Sequence, residues 1–456
     1  MTVLDVLDDV SRRLAPVLGE RLIAKPSPDS VHFFAPDDRV PALVARPVDA
    51  REVAAVVTTA AETGVPFAVR GTGHSYARHS VVADGLVLDL QLMNEVRIDP
   101  ERRVGTAAGG ATAGAYTTAA HEHGLATGFG DTASVGVAGL TLGGGIGYLS
   151  RRDGLTIDNL IAAEVVLADG TIVSASDQEH PDLFWALRGG GGNLGVVTRL
   201  DLRLHETNVV TGGLLAFEPS AATVAALLAA AGQASDEVST MINIMKAPPM
   251  PFLPSERHGT PIIVALLCHS GRPDEADAAL APFRAAGTVL ADLIRPQPYP
   301  ALFGMAPSQA GMQATIHSGF GFDEERAALA LDLIRTAPTA AALVNLRPMG
   351  GAIARVPADA TAFAHRHHEV MTGVGALDPA EVGPGRIQDW VTEAATQLKI
   401  TGPRYVNFIA DGGPDAVRDA YPEPTRRRLA EIKRTYDPGN LFRSNVNVAP
   451  ATVDAP

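Results

Sequence analysis

Cysteine is almost absent: Cys268 is the only one in 456 residues. That excludes an internal disulfide and any metal site built from paired thiolates. Long hydrophobic runs are missing too. Although 46% of the chain is hydrophobic, no apolar stretch reaches the roughly 18 residues that a membrane-spanning helix requires. The first ten residues, Met1-Thr-Val-Leu-Asp-Val-Leu-Asp-Asp-Val10, interrupt their apolar side chains with acids. They read as neither a signal peptide nor a span, and a cytoplasmic location is the resulting expectation. Positive charge is scarce, with 37 Lys+Arg against 51 Asp+Glu and a formal net charge of −14. A surface of that sign repels phosphate backbones, and no Lys/Arg block stands out as an exception, so nucleic acid is not an expected partner. Anionic cofactors stay open, because backbone N–H groups can bind a pyrophosphate without basic side chains.

The length suggests two domains, or one domain with a large insertion. Helical and strand patterns alternate in the first half. Asp49 is placed to cap a helix over 49–63 that Gly64 ends. A short strand over 67–70 runs into Gly71-Thr-Gly-His-Ser75, a second strand follows over 86–90, and a helix near 113–123 stops at Gly124. Residues 164–167 and 171–173 flank Asp169-Gly170 and read as a hairpin with a type I′ turn. Val196, Thr198, Leu200, Leu202 and Leu204 alternate with Arg199, Asp201 and Arg203, the pattern of a half-buried strand. Beyond Glu206 the style changes. Helices near 220–232, 273–286 and 323–337 are separated by strand-like runs at 240–245, 262–268, 289–294 and 342–346, and Pro and Gly between 247 and 259 suggest a long surface loop. These patterns place a boundary near Glu206, followed by a domain of antiparallel strands backed by helices. The last segment is expected to return to the first domain, since it would otherwise be a poorly buried tail.

Glycine is concentrated in three segments of the first half: 70–75, 135–147 and 188–195. Glycine lets a backbone take positive φ and approach a ligand closely, and successive N–H groups in such loops can nest a pyrophosphate. None of the three fits the usual dinucleotide fingerprint. By themselves they are also compatible with tight turns in a loop-rich α/β domain. A histidine inside the first makes the combination less ordinary.

Arg70-Gly-Thr-Gly-His-Ser75 after a strand resembles the pyrophosphate loop of the vanillyl-alcohol oxidase superfamily, the FAD-binding fold shared with p-cresol methylhydroxylase. The order of the later segments is similar to its berberine-bridge-enzyme-like branch, including the hydroxynicotine oxidases. Those segments are Gly136-Val-Ala-Gly-Leu-Thr-Leu-Gly-Gly-Gly-Ile-Gly147, Asp153-Gly-Leu-Thr-Ile-Asp-Asn159, Asp182-Leu-Phe-Trp-Ala-Leu-Arg-Gly-Gly-Gly191 and Gly195-Val-Val-Thr198. Tyr436-Asp-Pro-Gly-Asn440 and Asn445-Val-Asn447 close the series. The similarity runs from about Val40 to Val448 and is vague across the substrate half. It implies an α+β protein with a two-part FAD-binding domain, about 1–205 and 415–456, and a substrate domain, about 206–414, with an antiparallel sheet backed by helices. It also implies an FAD-dependent oxidase. A small organic substrate, C–OH or C–N, would give a hydride equivalent to the flavin, and dioxygen would be reduced to hydrogen peroxide. A dehydrogenase using another acceptor and a flavin-bearing binding protein without turnover are the alternatives.

The resemblance assigns residues as well. The family's covalent histidine falls on His74, and a neutral imidazole nitrogen is a competent nucleophile for the flavin methyl carbon. A second, cysteine link found in many relatives falls on Thr132, whose hydroxyl cannot replace a thiolate, so a single link is expected. Flavin contacts are implied for Arg70, Gly71, Thr72, Gly73, Ser75, Tyr76 and Ser80 in the first loop. In the second they fall on Thr132, Ser134, Val135, Gly136, Gly139, Leu140 and Gly145. Asp158, Gly195, Val196, Val197, Asn407 and Asn445 complete the set. Val135 occupies the position of an oxygen gatekeeper, where a valine leaves room for dioxygen. The tyrosine base many relatives place after Asn407 is Phe408 here, which leaves Tyr405, His317 and Arg355 as candidate catalytic groups, each equally compatible with a structural role. Arg347 and Met349, at a strand end, are placed to face the pocket, and an arginine there favours an acidic or carbonyl-bearing substrate over a cationic amine. His365, His367 and His368, like His121 and His123, lack a third ligand at metal-binding spacing and read as helix-surface histidines, so no metal is expected.

Overall fold

The computed structural model describes residues 2–35, 37–304, 309–378 and 381–452. The helix Ala50–Thr63 starts where Asp49 accepts from the N–H groups of Arg51 and Glu52, and it ends at Gly64, whose φ of 67° is left-handed. Its buried stripe, Val53, Val56, Val57 and Ala60, packs on a four-stranded sheet. The strand order there is Leu22–Ala24, Leu43–Ala45, Leu86–Asp89, Phe67–Arg70, and the last three run parallel. Ligands of open parallel sheets gather beyond the carboxyl ends of the strands. The first glycine loop leaves that end of Phe67–Arg70.

A second, antiparallel sheet has the order Val96–Asp99, Val104–Ala108, Val196–Arg203, Leu160–Val166, Ile172–Ser176. Within it the 160–176 hairpin forms, but its turn is not type I′. Only Gly170 has positive φ, at 83°, whereas type I′ needs it at both central residues. Gly170 N–H bonds to Leu167 O and Leu167 N–H to Thr171 O. This is a three-residue loop in which glycine takes the left-handed position.

The third layer is an eight-stranded antiparallel sheet. Its main path is Val289–Asp292, Val209–Phe217, Pro261–His269, Val238–Lys246, Ala341–Pro348, Val370–Asp378, Gln313–Phe320, and Arg295–Pro298 also pairs with Val209–Phe217. The helices Ala221–Gln233, Ala276–Arg284, Glu324–Thr336 and Pro384–Gln397 share one hydrophobic core with it. Side chains of a strand alternate between faces. On Ala341–Pro348, Ala342, Val344 and Leu346 enter the helix-side core, so Asn345 and Arg347 lie on the opposite face. That face looks toward the glycine loops.

After crossing the sheet the chain comes back. Ala416, Tyr421, Leu429, Ile432, Val446 and Val448 join the core of the five-stranded layer. Buried Lys433 fastens this return: its ammonium donates to Asn193 O at 2.7 Å and Phe442 O at 2.8 Å and pairs with Asp437 at 3.1 Å. No helix among the described residues is long and apolar enough to cross a membrane.

Candidate active site

The first glycine loop is held from beneath. Arg70 donates from Nε to Val31 O and from Nη1 to Asp89, both at 2.9 Å, and Arg46 reaches the other Asp89 oxygen at 3.1 Å. Arg70 is thus committed to fixing the loop rather than offering its charge to a ligand. Above it, residues 71–79 are all half-buried, an open stretch set between buried elements. Gly73 has φ of 83°, a conformation costly for residues with a Cβ. Ser75 Oγ accepts weakly from His79 N–H at 3.4 Å, and Ser80 is buried at the loop's end.

His74 lies under an aromatic lid: Phe33 stacks on its imidazole with centroids 3.5 Å apart. Burial is the largest influence on the ring and pushes its pKa down to about 4, against the opposing effect of a hydrogen bond to the Ser134 backbone. The imidazole is therefore neutral at physiological pH. Nε2 is buried without a hydrogen-bond partner among the described residues, so the Ser134 carbonyl falls to Nδ1–H. That tautomer leaves a lone pair on Nε2. An unpaired buried nitrogen is costly, and a ligand bonded there would remove the cost.

Thr132, Ala133, Ser134 and Val135 form a tight turn closed by Val135 N–H to Thr132 O. Val135 is half-buried and Ser134 exposed. Gly136 sits against Thr72, whose Oγ1 would be 3.0 Å from a Cβ placed there. The first and second glycine segments are therefore in direct contact. Further along, Asn407 Nδ2 donates to Leu140 O and to Tyr405 Oη, each at 3.0 Å, and Gly145 N–H also donates to Tyr405 Oη at 3.0 Å. Both Asn407 N–H groups are thereby used, and Oδ1 rests on Gly143, where a Cβ would lie 2.0 Å from it. Gly139 is exposed, with open space where a Cβ would be. Asn445 Nδ2 donates to Gly192 O and Phe442 O, while its Oδ1 and that of Asn447 are buried without partners among the described residues.

The opposite wall comes from the eight-stranded sheet. Arg347 donates to Asn345 Oδ1 at 2.8 Å, Ile146 O at 3.1 Å and Asp131 at 2.7 Å. Its guanidinium carbon lies 5.1 Å from the centre of the Phe408 ring, which in turn meets Tyr76 and Tyr405 edge-on. Tyr76 is also stacked on Phe34, and burial pushes its phenol up to about 12. Met349 is buried with Tyr405, Ile146 and Phe363.

Several expected residues are turned away from this wall or already committed to other groups. His317 pairs in register with Val374, and Val374 belongs to the helix-side core. His317 therefore faces away from the cleft, bonded through Nε2 to Ile400 O at 3.0 Å. Arg355 is paired with Asp236 at 2.6 Å, and its side chain is 62% exposed. The Asp158 carboxylate is gripped by Arg366 at 2.6 and 2.9 Å and caps Leu155 N–H, so it braces the chain internally. Gly195 packs against Val165 and Val166, and the Val196 and Val197 side chains fill two different cores. Only their backbone is free to meet a ligand. Tyr405 is 3% exposed, and burial raises its phenol, so it keeps its proton and serves as an acceptor for two N–H groups. His365, His367 and His368 lie in a loop rather than on a helix. His365 bonds Ala420 O, and His368 stacks on Phe320. No cluster of metal-ligating side chains occurs among the described residues. Asp131 was missed by sequence reasoning; the signal was a lone carboxylate inside an otherwise uncharged, glycine-rich run.

The residues present fit FAD. A neutral histidine with an orphaned nitrogen, asparagine oxygens unpartnered among the described residues and two glycine-rich segments in contact through Gly136 and Thr72 suit a large planar ligand with a pyrophosphate tail. The FAD binding domain family matches residues 41–176, and the berberine and berberine-like family matches 404–449. (R)-6-hydroxynicotine oxidase of Paenarthrobacter nicotinovorans is 30% identical over 433 residues, 90% of this chain and 91% of that protein. The solved structure of 6-hydroxy-D-nicotine oxidase from Arthrobacter nicotinovorans superposes with a TM-score of 0.83 at 27% identity, covering 94% and 98% of the two chains. Berberine bridge enzyme shares the fold, with a TM-score of 0.84 at 20% identity over 98% and 99%. Fold and site thus define an FAD-linked oxidoreductase, of the oxidase type. The chain belongs to the berberine-bridge-enzyme-like family of the vanillyl-alcohol oxidase superfamily.

Proposed function

We propose that this chain is an oxidase carrying FAD covalently on His74 Nε2, and that it oxidises a C–OH or C–N bond of a small organic substrate. The observation that carries the reading is the buried Nε2 lone pair, which has no hydrogen-bond partner among the described residues. When bound, FAD supplies the two-electron acceptor and hands the electrons to dioxygen, giving hydrogen peroxide. The chain's own residues do the rest. The Ser134 carbonyl holds the Nδ1 proton and so keeps Nε2 nucleophilic. Phe33 fixes the plane of the ring. Tyr405 turns the Asn407 amide so that its N–H groups are spent on the protein, and it is a positioning residue rather than a base. Val135 leaves space beside the cofactor, the reading favoured for dioxygen access. Thr132 offers no thiolate, so one link is proposed, through His74 alone. The relatives' names speak of hydroxynicotine, an amine, which makes amines and alcohols the first classes to test. A peroxide-coupled screen over both, run on wild type and His74→Ala, tests the proposal. Peroxide formation with one class and its loss in the variant supports it, and turnover without peroxide would move the chain to the dehydrogenases.

A further inference from the structure

The Arg347–Asp131 pair sits where the sheet wall meets the glycine loops, with side chains 8% and 25% exposed. Asp131 immediately precedes the turn that touches His74, and Arg347 reaches across to Ile146 O in the second glycine segment. The aromatic rings of Phe408 and Tyr76 flank them. An arginine alone at this spot would draw anions. Here it is neutralised by a carboxylate 2.7 Å away, so an entering charge of either sign meets its own kind as well as its opposite. Hydrogen-bonding capacity nevertheless remains. Three of the five guanidinium N–H donors are used by Asn345, Ile146 and Asp131. The carboxylate accepts from Arg347 on one oxygen and from Thr132 Oγ1 on the other, and each oxygen keeps a lone pair. Unused donors and acceptors therefore lie side by side.

We infer that the Arg347–Asp131 pair is the polar anchor of the substrate site, and that it selects an uncharged group carrying a donor beside an acceptor, such as a carboxamide, a hydroxy-carbonyl or a vicinal diol. A carboxylate would be repelled by Asp131 and an ammonium or amidinium by Arg347. Removing one member exposes the other's charge and inverts the preference. The inference rests on the proposed use of this cleft as the substrate site.

Three molecules of nearly one shape separate the possibilities: benzamide, benzoate and benzamidine, which are neutral, anionic and cationic near neutral pH. Their binding to the holoenzyme is measured by calorimetry at about 0.15 M salt, where the protein's long-range field is screened beyond roughly 8 Å. The flavin absorbance is recorded in parallel. Wild type is expected to bind benzamide at least about tenfold more tightly than either ion, a tenfold ratio being one decade of Kd. D131N should raise benzoate affinity by about tenfold or more, and R347M should do the same for benzamidine. The double variant R347M/D131N leaves no buried charge unpaired and should lose the discrimination, which covers the case in which a single variant fails to fold. Wild type binding either ion as tightly as benzamide, or benzoate affinity unchanged by D131N, overturns the inference. A protein without flavin absorbance would instead contradict the oxidase reading, so the two failures are distinguishable.

Discussion

The two walls of the cleft are built on opposite terms. On the glycine-loop side the chemistry lies in short contiguous motifs: His74 in a five-residue loop, Val135 closing a turn next to Gly136, Asn445 beside Gly192. On the sheet side it lies in single residues at every second position of long strands, Asn345 and Arg347 among them. A loop presents consecutive N–H groups and side chains to one ligand, so its function is written locally. A strand presents only alternate residues, and which alternate set faces the cleft depends on what packs on its back. On the proposed reading the loop side holds the cofactor, whereas the sheet side offers the substrate single residues at alternate positions.

That contrast can be broken by substitution, and the largest effect is expected on the loop side. Gly143→Ala would put a Cβ 2.0 Å from Asn407 Oδ1. Overpacking of this sort costs roughly 1–3 kcal/mol. It should lower the denaturation midpoint and shift the visible flavin spectrum, and an unaltered spectrum would detach Asn407 from the cofactor. Val135→Leu is expected to be gentler. It should slow reoxidation in air by about tenfold, about 1.4 kcal/mol of barrier, while reduction by substrate keeps its rate. Stopped-flow traces of the two half-reactions check this, and equal slowing of both would make Val135 a packing residue. On the sheet side His317→Gln keeps a donor for Ile400 O on the face away from the cleft. Its kcat/KM should stay within about twofold, roughly 0.4 kcal/mol, and a large fall in kcat would return His317 to the catalytic set. Arg355→Ala removes an exposed ion pair with Asp236. Exposed pairs are worth about 0–1 kcal/mol, so neither melting temperature nor turnover should move appreciably.

How much was legible in the sequence follows the same division. The capped helix Ala50–Thr63 and the alternating strand Val196–Arg203 announce themselves, as do the strands Val238–Lys246 and Pro261–His269 through largely apolar runs. The strands Val209–Phe217, Gln313–Phe320 and Val370–Asp378 did not. Gly212, Gly213, Gly319, Gly373 and Gly375 interrupt their pattern, and two glycines of these strands lie against Leu267 and Ile400, where a Cβ would collide. Tertiary packing supplied what local propensity lacked. Site residues divided likewise. The family motif points to His74, and its surroundings in the structure suit the role. His317 and Arg355 were polar residues chosen without knowledge of facing, and strand register turned one to the helix layer while the other lies on the surface. Asp131 escaped because its partner is 216 residues away, a pairing that no local pattern encodes. Arg347 does face the glycine loops, as its strand position suggested, and the acidic or carbonyl-bearing preference drawn from it was read without that partner.

The proposed covalent link depends on His74 Nε2 as the point of attachment. The most direct test is acid precipitation of purified wild type and His74→Ala, followed by absorbance of pellet and supernatant near 450 nm and mass mapping of the flavinylated peptide. Wild-type flavin is expected to stay in the pellet, on the His74 peptide alone. Because His74 is neutral well above its pKa of about 4, the yield should be flat between about pH 6 and 8. The variant should release its flavin to the supernatant. Covalent flavin retained by His74→Ala, or found on the Cys268 peptide, would contradict it.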